Sequence, residues 1–296
     1  MDDWRSDLGP LALAATPGVR DVCVDGAGAV WTDTGSGFVR SFLTLSPSEV
    51  RHIGVLLVER GGGRVDDAMP IGDAALAGRA RVHVVLPPVA RQGPLLSIRL
   101  PNEHAIPLSE FAYARDTHRD ACVLGSVLIS GVTGSGKTTL ASALIASRPA
   151  NSRIVIVEDI AELDPPHPHC VHLTSRHPNP DGGGAIGLGH LVKEALRMRP
   201  DSLVVGEIRG AEFSEFLLAL TAGHHGISTV HARRLSDVAE RMTVLGLTAG
   251  FPLPAIAPLV VAAVPLIAHC TRSPHGVQVE VGRTVDDDGK LRVIPL

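Results

Sequence analysis

The stretch that decides the fold is Gly131-Val132-Thr133-Gly134-Ser135-Gly136-Lys137-Thr138-Thr139. It follows the apolar run Val127-Leu128-Ile129-Ser130 and opens the helical pattern Thr139–Ala146. The spacing is that of the G-x-x-x-x-G-K-[ST] phosphate loop. Its glycines let the backbone close around phosphates with N–H groups pointing inward, at the positive end of the helix that follows. Lys137 then reaches the β and γ phosphates, and the Thr138 hydroxyl is a ligand for Mg²⁺. Only three lysines occur in the chain, Lys137, Lys193 and Lys290, so the motif's lysine had few places to sit.

Working outward, two more continuously apolar runs follow, Ile154-Val155-Ile156-Val157 and Leu203-Val204-Val205, with a helical pattern at Leu191–Met198 between them. Apolar runs without alternation, separated by helices, predict a mainly parallel sheet covered on both faces. Reactive residues then gather at the C-terminal strand ends. The second run ends in Glu158-Asp159, with Glu162 beyond; the third ends in Gly206-Glu207-Ile208-Arg209-Gly210. The latter reads as a Walker B strand with Glu in the usual Asp place, whose carboxylate holds Mg²⁺ through water. A helix cap is the competing reading for any one acid at a strand end. Three strand ends converging on chemically useful residues favour the site. The segment Thr221–Ala232 places His231 after a fourth short strand.

Upstream, Asp21-Val22-Cys23-Val24-Asp25 alternates polar with apolar, Gly26-Ala27-Gly28 turns the chain, and Val30-Trp31-Thr32 resumes. Pro47-Ser48-Glu49 opens an amphipathic helix through Val50, Ile53, Leu56 and Leu57, with Ser46 or Ser48 as its cap. Strands are predicted at 82–86 and 95–99. The expected organisation is an α+β domain over 1–100, a linker over 101–112 and an α/β domain with a mainly parallel sheet over 113–296.

These residues resemble the secretion ATPases of type II and type IV systems, most closely the Tad/CpaF branch of pilus-assembly and conjugal-transfer-associated ATPases. Four ordered boxes carry the resemblance: the phosphate loop, the acidic box Val157–Leu163, the stretch from Ala195-Leu196-Arg197-Met198-Arg199-Pro200-Asp201 through Gly206–Glu212, and the histidine box. Arg81-Val82 with Pro87-Pro88, and Ser97-Ile98-Arg99, resemble the family's N-terminal domain, and Leu8-Gly9-Pro10-Leu11 its start. The resemblance implies that the domain over 113–296 is a RecA-like P-loop ATPase domain, with ATP and Mg²⁺ as cofactors. Gly131, Thr133, Gly134, Ser135, Gly136, Lys137, Thr138, Thr139 and Arg209 would bind nucleotide, and Thr138 and Glu207 would serve the metal. It implies that Glu162 polarises the attacking water, with Glu158 the competing candidate. Glu207 would orient metal and water, His231 would sense the γ-phosphate, and Arg81 and Arg99 would close over the nucleotide. It further implies a hexameric ring, a cytoplasmic position against the inner face of the cell membrane, and platform proteins as partners. Three departures stand out: a shortened histidine spacing, Arg233 where the branch commonly has Asn, and a chain that begins almost at the small domain.

Composition narrows the class. With 27 basic and 31 acidic residues and a net charge of −4, no basic stripe advertises nucleic-acid binding. That weighs against a DNA-translocating conjugation motor; a non-hydrolysing ATP-binding scaffold is the other rival. A regulatory GTPase needs N-K-x-D, which neither Lys193 nor Lys290 provides, and an ABC-type signature is missing. Four widely spaced cysteines exclude a disulfide framework, and Met1-Asp2-Asp3-Trp4-Arg5 does not read as a signal peptide. His167, His169, Cys170 and His172 imitate metal ligands, but alternate faces of an extended segment separate them. Asp181-Gly182-Gly183-Gly184 reads as a turn. From Met242 to Thr271 no charged residue occurs, long enough to span a bilayer. Prolines at 252, 254, 258 and 265 break it, so a helix plus strand packed in a core or on a partner is expected, with no transmembrane segment.

Overall fold

Strand runs that are apolar on every residue demand cover on both faces, and the second half of the chain meets that demand. The computed structural model describes residues 4–76, 80–100, 106–113, 115–176 and 184–296. The chain folds as two units, Met1–His104 and Ala105–Leu296.

The first unit is an antiparallel sheet with one helix. Its strands are β1 (Asp21–Val24), β2 (Ala29–Asp33), β3 (Phe38–Thr44), β4 (Ile71–Leu76), β5 (Ala80–Val85) and β6 (Leu95–Arg99), in the order β3-β2-β1-β6-β5-β4. Helix α1 (Pro47–Arg60) is capped by Ser46, not Ser48: the Ser46 hydroxyl accepts from the Glu49 N–H, and the Glu49 carboxylate accepts from the Ser46 N–H. Val50, Ile53, Leu57 and Val58 of α1 pack with Val22, Val82, Val84, Leu96 and Ile98. Gly54 brings the helix close; a Cβ there would stand 3.0 Å from Val84 Cγ1. Strands β3 and β4 lay outside the predicted elements. β3 does not alternate, and β4 carries Gly72 and Asp73, poor strand formers that pairing with β5 holds in place.

The second unit is built on β7 (Ala112–Tyr113), β8 (Val127–Gly131), β9 (Ile154–Glu158), β10 (Cys170–Thr174), β11 (Ser202–Val205), β12 (His225–His231), β13 (Leu266–Ser273), β14 (Gly276–Asp287) and β15 (Lys290–Pro295). The order is β10-β9-β11-β12-β8-β13-β14-β15, parallel through β13 and antiparallel beyond it, with β7 against β14. The helices are α2 (Asp116–Leu124), α3 (Lys137–Ala146), α4 (Leu188–Arg197), α5 (Glu212–Thr221), α6 (Val238–Thr248) and α7 (Leu253–Ala263). Successive strand residues point to opposite faces. Leu128, Val155, Val157, Leu203 and Val205 therefore pack with α4 to α7, while Val127, Ile129, Ile154, Ile156 and Val204 pack with α3.

The stretch expected as linker differs from that expectation. Ile106, Leu108 and Phe111 pack into the second unit's core, because the short turn Leu108–Glu110 sets Leu108 and Phe111 one 3₁₀ turn apart. Residues 101–105 lie outside the described residues, as do 181–183 of the expected glycine turn. The uncharged run forms the end of α6, all of α7 and most of β13, one helix more than expected. The bend between residues 235–248 and 253–263 is 117°, and among the described residues no single helix is long and apolar enough to cross a membrane. Met242, Leu245, Ile256, Val260, Val264 and Ile267 are core residues.

Candidate nucleotide site

The phosphate loop hangs between β8, buried throughout, and α3. Its glycines are required by space and by backbone. Gly131 (φ 151°) faces the buried Ser135 hydroxyl and the Cys270 carbonyl, which a Cβ would meet at 2.3 and 2.7 Å. Gly136 (φ 101°) packs on Val277, whose Cγ2 would lie 2.7 Å from a Cβ. Gly134 also has positive φ (76°), with open space around it. Thr133 and Gly134 are exposed at the tip, and Thr138 and Thr139 half-buried in the first helical turn. Gly136 precedes α3 without a side-chain cap, so the helix presents uncapped N–H groups at its positive end, which attract anions.

Lys137 is buried, with Nζ donating to the carbonyls of Gly131 and Val132, 3.0 Å each. Burial pulls its proton affinity below that of a free lysine, opposed by the charge of Glu207 and Glu162. The Thr138 hydroxyl donates to Glu162 Oε2 at 3.3 Å. Glu158, at the end of β9, is buried, and its Oε1 accepts from the backbone N–H groups of Glu162 and Leu163, 3.0 Å each. The two glutamates that the sequence left as competitors therefore take different places: Glu158 anchors the loop on which Glu162 is carried. Gly206 makes room for Glu158, since a Cβ there would stand 2.9 Å from Glu158 Cγ.

The end of β11 is stitched to β12. The Ile208 N–H donates to the Thr229 carbonyl at 2.9 Å, the Thr229 hydroxyl to the Gly206 carbonyl at 2.8 Å, and the Ser228 hydroxyl to the Val205 carbonyl at 2.7 Å. These contacts fix Glu207, whose Oε2 accepts from the Arg209 guanidinium at 2.5 Å and whose Oε1 lies 2.8 Å from His231 Nε2. Glu207 Oε1 is sealed from water and lacks an aligned donor. The hydrogen bond to Glu207 raises the proton affinity of Arg209, with further support from Asp159 and Glu162. His231 ends β12, level with Gly131 on β8. Burial and the positive charge of Lys137 lower its proton affinity, and Glu207 opposes them. The four boxes thus meet in one electrostatic cluster.

Hydroxyl and carboxylate oxygens of Thr138, Glu162 and Glu207, with one carboxylate oxygen orphaned in a buried position, fit a hard divalent cation of the Mg²⁺ class. Arg81 and Arg99 stand opposite each other on β5 and β6. Arg99 Nε donates to Asp21 Oδ1 at 3.1 Å.

The metal-like histidines are otherwise engaged. His169 Nε2 faces an Arg153 guanidinium nitrogen at 2.9 Å, and His167 Nε2 faces the Pro149 carbonyl at 3.1 Å. Among the described residues no group of three or more His, Cys, Asp or Glu has a metal-binding arrangement. Two residues escaped the sequence reading. His269, buried, shares a 2.9 Å hydrogen bond with Ser130; as the one histidine in the uncharged run it was overshadowed by hydropathy. Arg241 of α6 lines a cavity of about 450 Å³ with Val132, Thr133, His231, Ala232 and Arg233, and no motif marks it.

Comparison with known proteins places the chain in a family. The family model for type II/IV secretion system proteins matches residues 42–290. A Mycobacterium tuberculosis protein named for conjugal transfer is 41% identical over 280 residues, covering 89% of this chain and 80% of its own length. The type IV secretion system protein PtlH of Bordetella pertussis is 33% identical over 260 residues, covering 77% of this chain and 76% of its own. Among solved structures, the VirB11 ATPase of the Brucella suis type IV secretion system, in complex with sulphate, aligns with a TM-score of 0.50 and 25% identity over 95% of this chain and 94% of its own. The pilus retraction motor PilT with bound ADP shares the fold, with a TM-score of 0.67 and 19% identity over 93% and 81%.

Proposed function

The chain belongs to the type II/IV secretion system protein family, and from that premise we propose that it is a Mg²⁺-dependent ATPase. In this reading it is the cytosolic motor of a Tad-type or type IV pilus assembly machine, or of a type II/IV secretion machine. The observation that carries the proposal is the convergence of Lys137, Glu162, Glu207 and His231 on one phosphate loop. The near-verbatim Tad signature over 195–212 supports the pilus branch. The relatives named for conjugal transfer and type IV secretion support a place in envelope transport. A closed homo-oligomeric ring of six, held at the inner face of the membrane by platform proteins, completes the reading.

Mechanistically, the uncapped N-terminus of α3 and the loop N–H groups take the phosphates. Lys137 exchanges its two carbonyl acceptors for phosphate oxygens, a charge-assisted and therefore stronger bond. Thr138 and Glu207 would hold Mg²⁺, which would supply neutralisation of phosphate charge. Glu162, fixed by the Glu158 anchor beneath it, accepts a proton from the attacking water. His231 stays neutral beside Glu207 and donates one N–H toward the terminal phosphate.

The test is phosphate release from ATP by the purified chain, with Mg²⁺ and with a chelator. Turnover that needs Mg²⁺ and vanishes in Lys137→Ala is expected. No turnover, or a Lys137→Ala variant equal to wild type, would sink the proposal.

A further inference from the structure

Arg241 sits on α6, whose neighbouring residues Val238, Ala239, Met242 and Leu245 are buried in the core. The backbone that carries it is therefore firmly seated. Its side chain lines a cavity together with Val132 and Thr133 of the phosphate loop, His231, Ala232 and Arg233. Arg241 Nε is buried away from water and donates to nothing. A guanidinium donor sealed without an acceptor is unfavourable unless a ligand supplies one.

The surroundings say which ligand. Lys137, Arg209 and Arg241 all bear on His231 as positive charge, and Glu207 is the carboxylate that opposes them. Glu207 itself is already shared between Arg209 and His231. Arg233 adds another cation to the cavity wall. The cavity is thus a cationic recess continuous with the phosphate loop, on the His231 side. A guanidinium offers a planar fork suited to two oxygens of a tetrahedral oxyanion.

We propose that Arg241 is a catalytic residue that grips the terminal phosphate of ATP on the His231 side of the phosphate loop and holds inorganic phosphate there after cleavage. This rests on the nucleotide site proposed above. It assigns a donor beyond the four sequence boxes, from a helix otherwise devoted to the core. A donor already in place holds the terminal phosphoryl group in line with the attacking water through cleavage, when its charge is spread over three equatorial oxygens.

The experiment compares wild type with Arg241→Gln and Arg241→Lys in three measurements. First, affinities for ADP and for ATPγS are measured by fluorescent-nucleotide displacement. Arg241→Gln is expected to leave ADP within about 2-fold while weakening ATPγS by about 10-fold or more, the loss of one charge-assisted contact. Second, steady-state kcat is expected to fall about 100-fold in Arg241→Gln, with partial recovery in Arg241→Lys. Third, inorganic phosphate should inhibit wild-type turnover competitively and lose that effect in Arg241→Gln. Unchanged discrimination between ATPγS and ADP overturns the contact with the terminal phosphate. Phosphate inhibition kept in the variant overturns the product-holding role. The guanidinium makes no hydrogen bond within the described residues, so unfolding midpoints of both variants should match wild type; a variant that unfolds early would make Arg241 structural and overturn the proposal. If wild type itself turns over no ATP, the motor reading fails instead, and the two failures are distinguishable.

Discussion

Glu158 Oε1 accepts hydrogen bonds from the backbone N–H groups of Glu162 and Leu163, each at 3.0 Å. One buried carboxylate thereby sets the position of a second, more accessible one, which meets the Thr138 hydroxyl at the mouth of the phosphate loop. The division of labour has a direct kinetic consequence. Glu162→Gln keeps an oxygen for Thr138 but removes the base, so kcat should fall about 10²- to 10⁴-fold with ATP affinity nearly unchanged. Glu158→Gln keeps its acceptor oxygen and should cost less than about 10-fold, whereas Glu158→Ala strands two N–H groups, that of Leu163 buried, and should lower stability as well. Equal kcat losses in Glu158→Gln and Glu162→Gln would refute the assignment.

The loop glycines should rank by their surroundings. Gly134→Ala adds a methyl into open space and meets only the strain of positive φ, roughly 1–2 kcal/mol. Gly136→Ala meets the same strain and collides with Val277 at 2.7 Å. Urea midpoints should place Gly136→Ala clearly below Gly134→Ala, and nucleotide binding should be lost first in the former.

Acid should destabilise the second unit through His269. Burial holds its imidazole below the ordinary histidine range, while the unfolded chain takes up a proton near pH 6.5. Below that pH the unfolded state binds the extra proton, so stability falls as pH falls, by at most roughly 1.4 kcal/mol per pH unit for one full proton. His269→Gln should flatten the difference in unfolding free energy between pH 7.5 and pH 5.5, even if it lowers the plateau. A variant with the wild-type slope would show that other groups govern it.

The uncharged run can be probed by charge. Val260 is fully buried, whereas Leu253, two turns earlier, is 57% exposed. Val260→Lys should prevent folding, because a buried unpaired ammonium has no compensation. Leu253→Lys should shift the thermal midpoint by only a degree or two, as surface substitutions do. The reverse ranking would mean that the core is not where the structure places it.

Much of this was legible beforehand, for reasons that can be named. The runs 127–130, 154–157 and 203–205 lacked alternation because both their faces are covered, and that pattern specified a parallel sheet. The phosphate loop was legible because its chemistry depends on backbone shape, and glycine spacing encodes shape locally. Helix α1 was legible because Ser46 and Glu49 form its cap across three residues. Strands β3 and β4 were not, because pairing with neighbours, rather than their own pattern, makes them strands.

What the sequence by itself determined is therefore the set of local commitments: strand ends, the glycine loop, the caps, and the order of the four boxes. Tertiary structure alone decided which glutamate anchors and which faces the phosphate loop, that Ile106, Leu108 and Phe111 pack into a core, and that Arg241 and His269 lie beside the site. The physical reason is one of range. Backbone conformation and capping are settled among residues three or four apart. Roles that depend on burial, on a hydrogen-bond partner more than a hundred residues away such as Ser130 for His269, or on the sum of surrounding charge exist only once the sheet has brought distant strand ends together.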